Sequence, residues 1–325
     1  MRAVVVDSYA PIDLVGIATI PAPDPGPREV RVRVAAAGVG FVDGLKVQGL
    51  YQTKDPLPFT PGMEFSGVVE ALGPDVTGLA PGDRVFGMAT RGALAEFIVV
   101  PAVNLHPVPD GVDLVAVAGA LANPVTALYA LEEIAAIQPG ERLLVLGASG
   151  GTGSAAIQIG KLLGAHVIAA ASTPGKRQFA LDLGADAAFD YTAEGWRDEI
   201  KALTNGHGAD VIFDGVGGDI SPLAFRSLAW RGRHLVIGFA AGKIPALPFN
   251  IALLKGASLR GVDIAQVRAR EPAIYAGVVA KLLAWLADGQ LVASAGEVFA
   301  FEDFRAAFRA MAARDAKGKM IVRIA

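Results

Sequence analysis

The chain of 325 residues contains no cysteine. That absence excludes disulfides, thiolate-held zinc and a cysteine nucleophile together. Histidine is scarce too: His106, His166, His207 and His234 are the only four, and none shows a ligand spacing such as H-x-x-x-H. They fall at a strand exit, at strand starts and in a helix-end loop, which suits surface or packing roles, so no metal site is expected. No apolar run reaches the ~20 residues that a bilayer-spanning helix needs. The opening segment MRAVVVDSYAP lacks the apolar core of a secretory signal, which makes the cytoplasm the expected compartment. Charge of one sign is also missing in excess. A net charge of −3 argues against a dominant role at nucleic acid or at a membrane surface.

What remains is apolar and glycine-punctuated. A hydrophobic fraction of 53% with 19% charged residues suits a well-buried α/β protein, and the length suits about two domains. The most informative stretch is residues 141–153, ERLLVLGASGGTG. An apolar strand stops at Gly147, and the helical pattern SAAIQIGKLLGA follows the turn at once. Small residues let backbone approach a phosphate, and a helix N-terminus offers unpaired N–H groups and a positive dipole end to its charge. Ser149, Gly150, Gly151, Thr152 and Gly153 are therefore expected to hold a dinucleotide pyrophosphate.

The following strand indicates which dinucleotide. HVIAAAS ends at Ser172, where an NAD-selective site usually carries an acid for the ribose 2′-hydroxyl. No acid appears before Asp182; Thr173-Pro174 opens a helix whose first turn carries Lys176 and Arg177. Hydroxyls and cations suit a 2′-phosphate, and the expected cofactor is NADP(H). A capped helix with solvated basic residues accounts for Thr173 and Arg177, but not for the missing acid.

The first ~120 residues read as short strands separated by turn signals such as Pro25-Gly26-Pro27 and Pro81-Gly82-Asp83. Residues 115–136 turn Ala-rich and helical. From residue 141, six strands (LLVLG, HVIAAAS, AAFDY, ADVIFDGVG, RHLVIGF and ASLRGVDI) alternate with helices over 153–163, 174–183, 196–203, 221–229 and about 249–255. This describes a doubly wound parallel sheet. The tail, with a long helix, a strand near 296–300, a helix over 302–313 and the strand KMIVRIA, is expected to complete the N-terminal domain. The expected domains are 1–121 with 263–325, and 122–262 inserted between.

The segments GDRVFG, NPVTALYAL, LGASGGTGSAAIQIGKLLGA, STPGKRQFALDLGAD and GKMIV occur in that order. On these motifs the chain resembles the zinc-independent medium-chain reductases, above all the NADPH:quinone oxidoreductases (zeta-crystallin-like proteins), and more distantly the enoyl thioester reductases. The resemblance spans essentially the whole length. It implies a GroES-like β-rich catalytic domain with an inserted Rossmann domain, and a cleft between them where a nicotinamide meets its acceptor.

It also implies roles for single residues. Tyr191 matches a tyrosine beside the 2′-phosphate, although by itself it reads equally as an ordinary strand-end tyrosine. Asn123 and Thr126, in NPVTA, match residues near the nicotinamide ribose and phosphates; alone, Asn123 before Pro124 reads as a helix cap. Phe239 to Gly242, including Ala241, matches a loop beside the nicotinamide, with core packing the other reading of Phe239. Tyr51 matches a tyrosine that lines the pocket in quinone reductases and donates a proton in enoyl reductases. Glu64 aligns with an acid beside the zinc of metal-dependent relatives and reads here as structural. One departure stands out: Gly40 occupies a position where the family commonly carries Asn, while Asp43 keeps its place and is expected to orient backbone.

The function the resemblance implies is NADPH-dependent hydride transfer to a small quinone or α,β-unsaturated carbonyl (enone) without metal. A 2-enoyl thioester reductase, with Lys46, Lys54 or Arg91 receiving a pantetheine arm, and a catalytically faded NADPH-binding protein are the alternatives. A homodimer built through the sixth strand, ASLRGVDI, is expected.

Overall fold

The computed structural model describes residues 1–293 and 295–325. Two compact units emerge: Met1–Ala122 with Val292–Ala325, and Asn123–Leu291.

In the first unit, β1 (Arg2–Val5) and β2 (Gly16–Thr19) form a two-stranded ribbon. β3 (Glu29–Val39) is followed by the short helix α1 (Phe41–Val47), then by β4 (Glu64–Leu72), β5 (Arg84–Met88), β6 (Phe97–Pro101), β7 (Leu105–Pro107) and α2 (Leu114–Val117). Alternation in EVRVRV turns Val30, Val32 and Val34 into a core shared with Phe65, Val85 and Phe304.

The second unit contains α3 (Ala122–Leu128), which runs on as a π-helix over Tyr129–Ile134. There follow β8 (Arg142–Leu146), α4 (Gly151–Leu162), β9 (His166–Ala170), α5 (Pro174–Asp182), β10 (Ala187–Phe189), α6 (Trp196–Leu203) and β11 (Ala209–Asp214). α7 (Ile220–Phe225), β12 (Leu228–Val236), α8 (Phe249–Lys255), β13 (Ser258–Gly261), α9 (Ile264–Arg270) and α10 (Pro272–Ala287) complete it. All six strands are parallel, in the order β10-β9-β8-β11-β12-β13. Covered on both faces, β8 and β9 are continuous apolar runs, which is why their sequences show no alternation. The order reverses between β8 and β11, so the glycine turn after β8 lies at the switch point where doubly wound sheets take their ligands.

The chain then returns to the first unit with β14 (Ala295–Ala300), α11 (Phe304–Ala312) and β15 (Lys319–Arg323). β15 pairs antiparallel with β3, Met320 opposite Val39, so the tail completes the N-terminal sheet. The crossing falls later than residue 263, however. α9 and α10 stay with the second unit, because α10 buries Val278, Leu282 and Leu286, and Lys281 pairs with Glu132 of the π-helix. The end of the last strand is a poor guide to a domain boundary when a helix beyond it still packs on the same unit. Among the described residues, no helix is long and apolar enough to cross a membrane.

Candidate functional site

Gly147 leaves β8 with φ +68°, a conformation that L side chains rarely adopt. Gly150 N–H then closes the turn on the Gly147 carbonyl at 3.0 Å, and α4 begins at Gly151. A methyl group at Gly153 would sit 2.3 Å from the Gly147 oxygen, so the first turn of α4 lies directly on the backbone that precedes it. Its opening N–H groups have no acceptor within the helix and face the turn. Asn123, on α3, is brought onto the same turn. Thr152 Oγ1 donates to Asn123 Oδ1 at 3.1 Å, and a Cβ at Gly151 would stand 2.3 Å from Asn123 Nδ2. Asn123 thus does more than cap a helix: it joins NPVTA to GGTG. Thr126 follows it by three residues, on the same side of α3.

At the end of β9, Ser172 is half-buried and Thr173 caps α5, accepting from Lys176 N at 3.3 Å, with Pro174 in the first turn. Lys176 is only 7% exposed, more enclosed than a solvated surface lysine. Arg177 is committed elsewhere: it donates to the Ala171 carbonyl at 3.2 Å and to Asp190 at 2.8 Å. Asp190, after β10, is an acid the sequence reading passed over. Hydrogen bonds from Thr192 and then Arg177 hold its carboxyl below the usual range, so its charge is matched by Arg177. Tyr191 packs against the apolar core of this unit, beside the end of β9, where Ala171 N–H bonds the Phe189 carbonyl at 3.1 Å. Phe239, left open between core and loop, is 37% exposed in the loop after β12, and Ala241 N–H donates to Val216 O at 2.8 Å.

In the first unit, Tyr51 is half-buried in the turn that follows α1. That turn is pinned at Gly49, whose φ of +66° sets it against the Tyr9 ring, while Tyr9 donates its hydroxyl to the Asp55 carbonyl at 2.6 Å. Lys46 and Arg91 both pair with Asp55, at 3.1 Å each. Lys54 lies over the Tyr9 ring, 5.6 Å from its centroid.

Beneath α1 lies a buried charge cluster. Glu64 pairs with Lys319 and accepts from Leu121 N at 3.3 Å and Ala122 N at 2.8 Å. Asp43 accepts from Gly40 N at 2.8 Å and Gly62 N at 3.2 Å, ordering backbone as expected. A Cβ at Gly40 would lie 3.4 Å from Lys319 Nζ and 3.5 Å from Asp43 Oδ2, in ordinary contact with the cluster.

Burial pushes the Asp43 carboxyl up to about 6, against the attraction of Lys319 and the Gly40 hydrogen bond. The folded state therefore binds this proton more tightly than the unfolded chain, whose value is 3.8. Stability owed to this group is highest below pH ~4, falls as pH rises to ~6, and is flat above that. Two units correspond to about 3 kcal/mol. Asp43→Asn is expected to remove that fall; urea midpoints at pH 4 and pH 7 that shift in parallel for both proteins would refute it.

Among the described residues, no group of three or more His, Asp or Glu is arranged to hold a metal ion. Residues 26–110 match the alcohol dehydrogenase GroES-like domain and residues 151–283 the zinc-binding dehydrogenase domain. Quinone oxidoreductase-like protein 2 from Bos taurus is 39% identical over 297 residues, 91% of this chain and 85% of that protein. A mycobacterial protein solved in complex with NADPH superposes with a TM-score of 0.91 at 29% identity, over 100% of both chains. The CurK enoyl reductase superposes at 0.90 with 28% identity, over 100% of this chain and 99% of that one. With a full set of matching domains and relatives of this similarity, the chain belongs to the quinone oxidoreductase family of zinc-independent medium-chain dehydrogenases and reductases.

Proposed function

We propose that this protein is an NADPH-dependent reductase that acts on quinones or α,β-unsaturated carbonyls without a metal. The observation that carries the reading is the glycine turn clamped by Asn123 and Thr152 at the switch point of the parallel sheet. Glycine at 151 and 153 lets Asn123 and the Gly147 backbone close onto the first turn of α4, whose opening N–H groups suit a pyrophosphate. Ser149 to Gly153, Asn123 and Thr126 would hold the diphosphate and its neighbouring ribose, and Ser172, Lys176 and Tyr191 the 2′-phosphate. Phe239 and Ala241 would flank the nicotinamide. Bound NADPH supplies the hydride. The chain's own tasks are to orient the acceptor, exclude water and stabilise the negative oxygen that develops on it. Tyr51, whose hydroxyl can donate a hydrogen bond, is assigned that last task.

The enoyl thioester reading is supported by the likeness to the CurK enoyl reductase. Against it, Lys46 and Arg91 share the Asp55 carboxylate, which offsets one of their two charges and reduces the basic mouth that a pantetheine phosphate would use. The test is NADPH oxidation followed by absorbance with quinones, enones and enoyl-CoAs, before and after exhaustive chelation. Turnover of quinones or enones that survives chelation is expected. Turnover of enoyl-CoAs alone would give the thioester reading, and tight NADPH binding without any turnover would give a faded enzyme.

We propose also that a second copy covers the edge of the sheet. β13 ends the strand order, and Leu259 on it is exposed, as are Trp230, Phe249, Leu253 and Leu254 of the neighbouring elements β12 and α8. An unpaired edge beside apolar surface invites pairing across a two-fold axis. Light scattering at micromolar concentration is expected to give the dimer mass; a monomer mass would refute this.

A further inference from the structure

The second unit also buries a carboxylate whose two oxygens are both hydrogen-bonded. Asp214 closes β11 and is 3% exposed. Its Oδ1 accepts from Val216 N and Gly217 N, each at 2.9 Å. Its Oδ2 accepts from the Ser221 hydroxyl and from His234 Nε2, the latter at 3.0 Å. Ser221 and His234 are each 1% exposed. A carboxylate only accepts, so Nε2 carries a proton toward Asp214, and His234 Nδ1 is buried without a partner. Although burial opposes ionisation, hydrogen bonds from His234, Ser221 and Gly217 keep the Asp214 carboxyl below its ordinary value.

The turn that Asp214 ties down touches both ends of the proposed cofactor path. On one side, a Cβ at Gly147 would stand 2.8 Å from Val216 Cγ2, so Val216 packs against the pyrophosphate turn. On the other side, the turn templates the loop after β12. Ile237 N donates to Asp214 O at 2.9 Å, Ala240 N to Gly215 O at 3.2 Å and Ala241 N to Val216 O at 2.8 Å. Gly218 N returns a bond to Lys243 O at 2.9 Å, and a Cβ at Gly217 would meet Phe239 Cδ1 at 2.9 Å. Moving the 215–218 turn therefore moves Phe239 and Ala241. The adenosine side, at Ser172 and Tyr191, hangs on β9 and β10 at the far side of β8 and shares none of these bonds.

We propose that Asp214, clamped by His234 and Ser221, is a positioning residue for the nicotinamide half of NADP(H): it sets the loop carrying Phe239 and Ala241 and leaves the adenosine half untouched. The inference rests on the NADP(H) reading above.

The test compares two ligands on the full chain by calorimetry: NADPH, and adenosine 2′,5′-bisphosphate, which carries the adenosine half alone. Asp214→Asn keeps the shape but exchanges a pure acceptor for a group that must also donate, so it cannot satisfy all four donors. It is expected to weaken NADPH about tenfold or more, the size of losing one buried charge-assisted hydrogen bond. Adenosine 2′,5′-bisphosphate should bind within about twofold of the unaltered protein, and the fluorescence of bound NADPH should shift toward that of free NADPH. Ser221→Ala, which removes one donor and keeps the charge, should shift the same readouts less, and it carries the comparison should Asp214→Asn not fold. Equal losses for both ligands would mean a merely structural role and would overturn the proposal, as would unchanged NADPH affinity and fluorescence. An unaltered protein that binds neither ligand would instead overturn the NADP(H) reading, and this inference with it.

Discussion

Gly153→Ala is expected to weaken NADPH binding by about 10²-fold or more. The added methyl would meet the Gly147 carbonyl oxygen at 2.3 Å, Ala148 Cα at 2.9 Å and the Gly147 carbonyl carbon at 3.0 Å. All three are backbone atoms, so no side chain can swing aside. Either α4 moves away from the turn or the turn opens. Overpacking of this kind costs about 1–3 kcal/mol in stability. The loss in binding is larger, because the helix N–H groups work only within the few tenths of an ångström that a hydrogen bond tolerates. A fall of about 10²-fold or more in NADPH affinity follows if two charge-assisted bonds to the pyrophosphate are lost. Gly277→Ala, on the exposed face of α10 with nothing within 4 Å of its Cβ position, is the control and should leave affinity unchanged. Retention of near-normal NADPH affinity by the Gly153 variant would remove the glycine turn from the site.

Tyr51→Phe carries the second large effect. If the hydroxyl donates to the developing oxyanion, its loss should lower kcat about 10²-fold while NADPH affinity stays put, since the interaction exists only as charge builds. If Tyr51 only lines the pocket, the loss should stay under tenfold and fall mainly on KM. The turn bearing Tyr51 is held by Gly49 on the Tyr9 ring and by the Tyr9–Asp55 bond, so Phe should keep the backbone in place. An unchanged kcat with a true acceptor would leave protonation to solvent.

The parallel sheet was legible because its strands, buried on both faces, appear as apolar runs broken by glycine, and α6 and α8 begin and end where their patterns do. The glycine turn was legible for a related reason: the strand–turn–helix pattern is local, marked by the consecutive residues from Gly147 to Gly153. What escaped was set by contacts distant in the chain. Asp214 meets His234 20 residues away, Arg177 meets Asp190 13 away and Glu64 meets Lys319 255 away. No local pattern announces such pairs. Of the three cations considered for a thioester arm, sequence shows the charges of Lys46 and Arg91 but not that both pair with Asp55. The second domain boundary was placed at a strand end, whereas the packing of α10 decides it.

The central claim is that Ser172 and Lys176, with no acid between them, select NADP(H). It is tested most directly by kcat/KM for NADPH and NADH with one quinone, on the unaltered protein and on Lys176→Glu. A charge-assisted contact to the 2′-phosphate is worth about 1.5–3 kcal/mol, so NADPH should be preferred by at least about tenfold, and the variant should reverse much of that preference. Equal kcat/KM for the two cofactors in the unaltered protein would contradict the account.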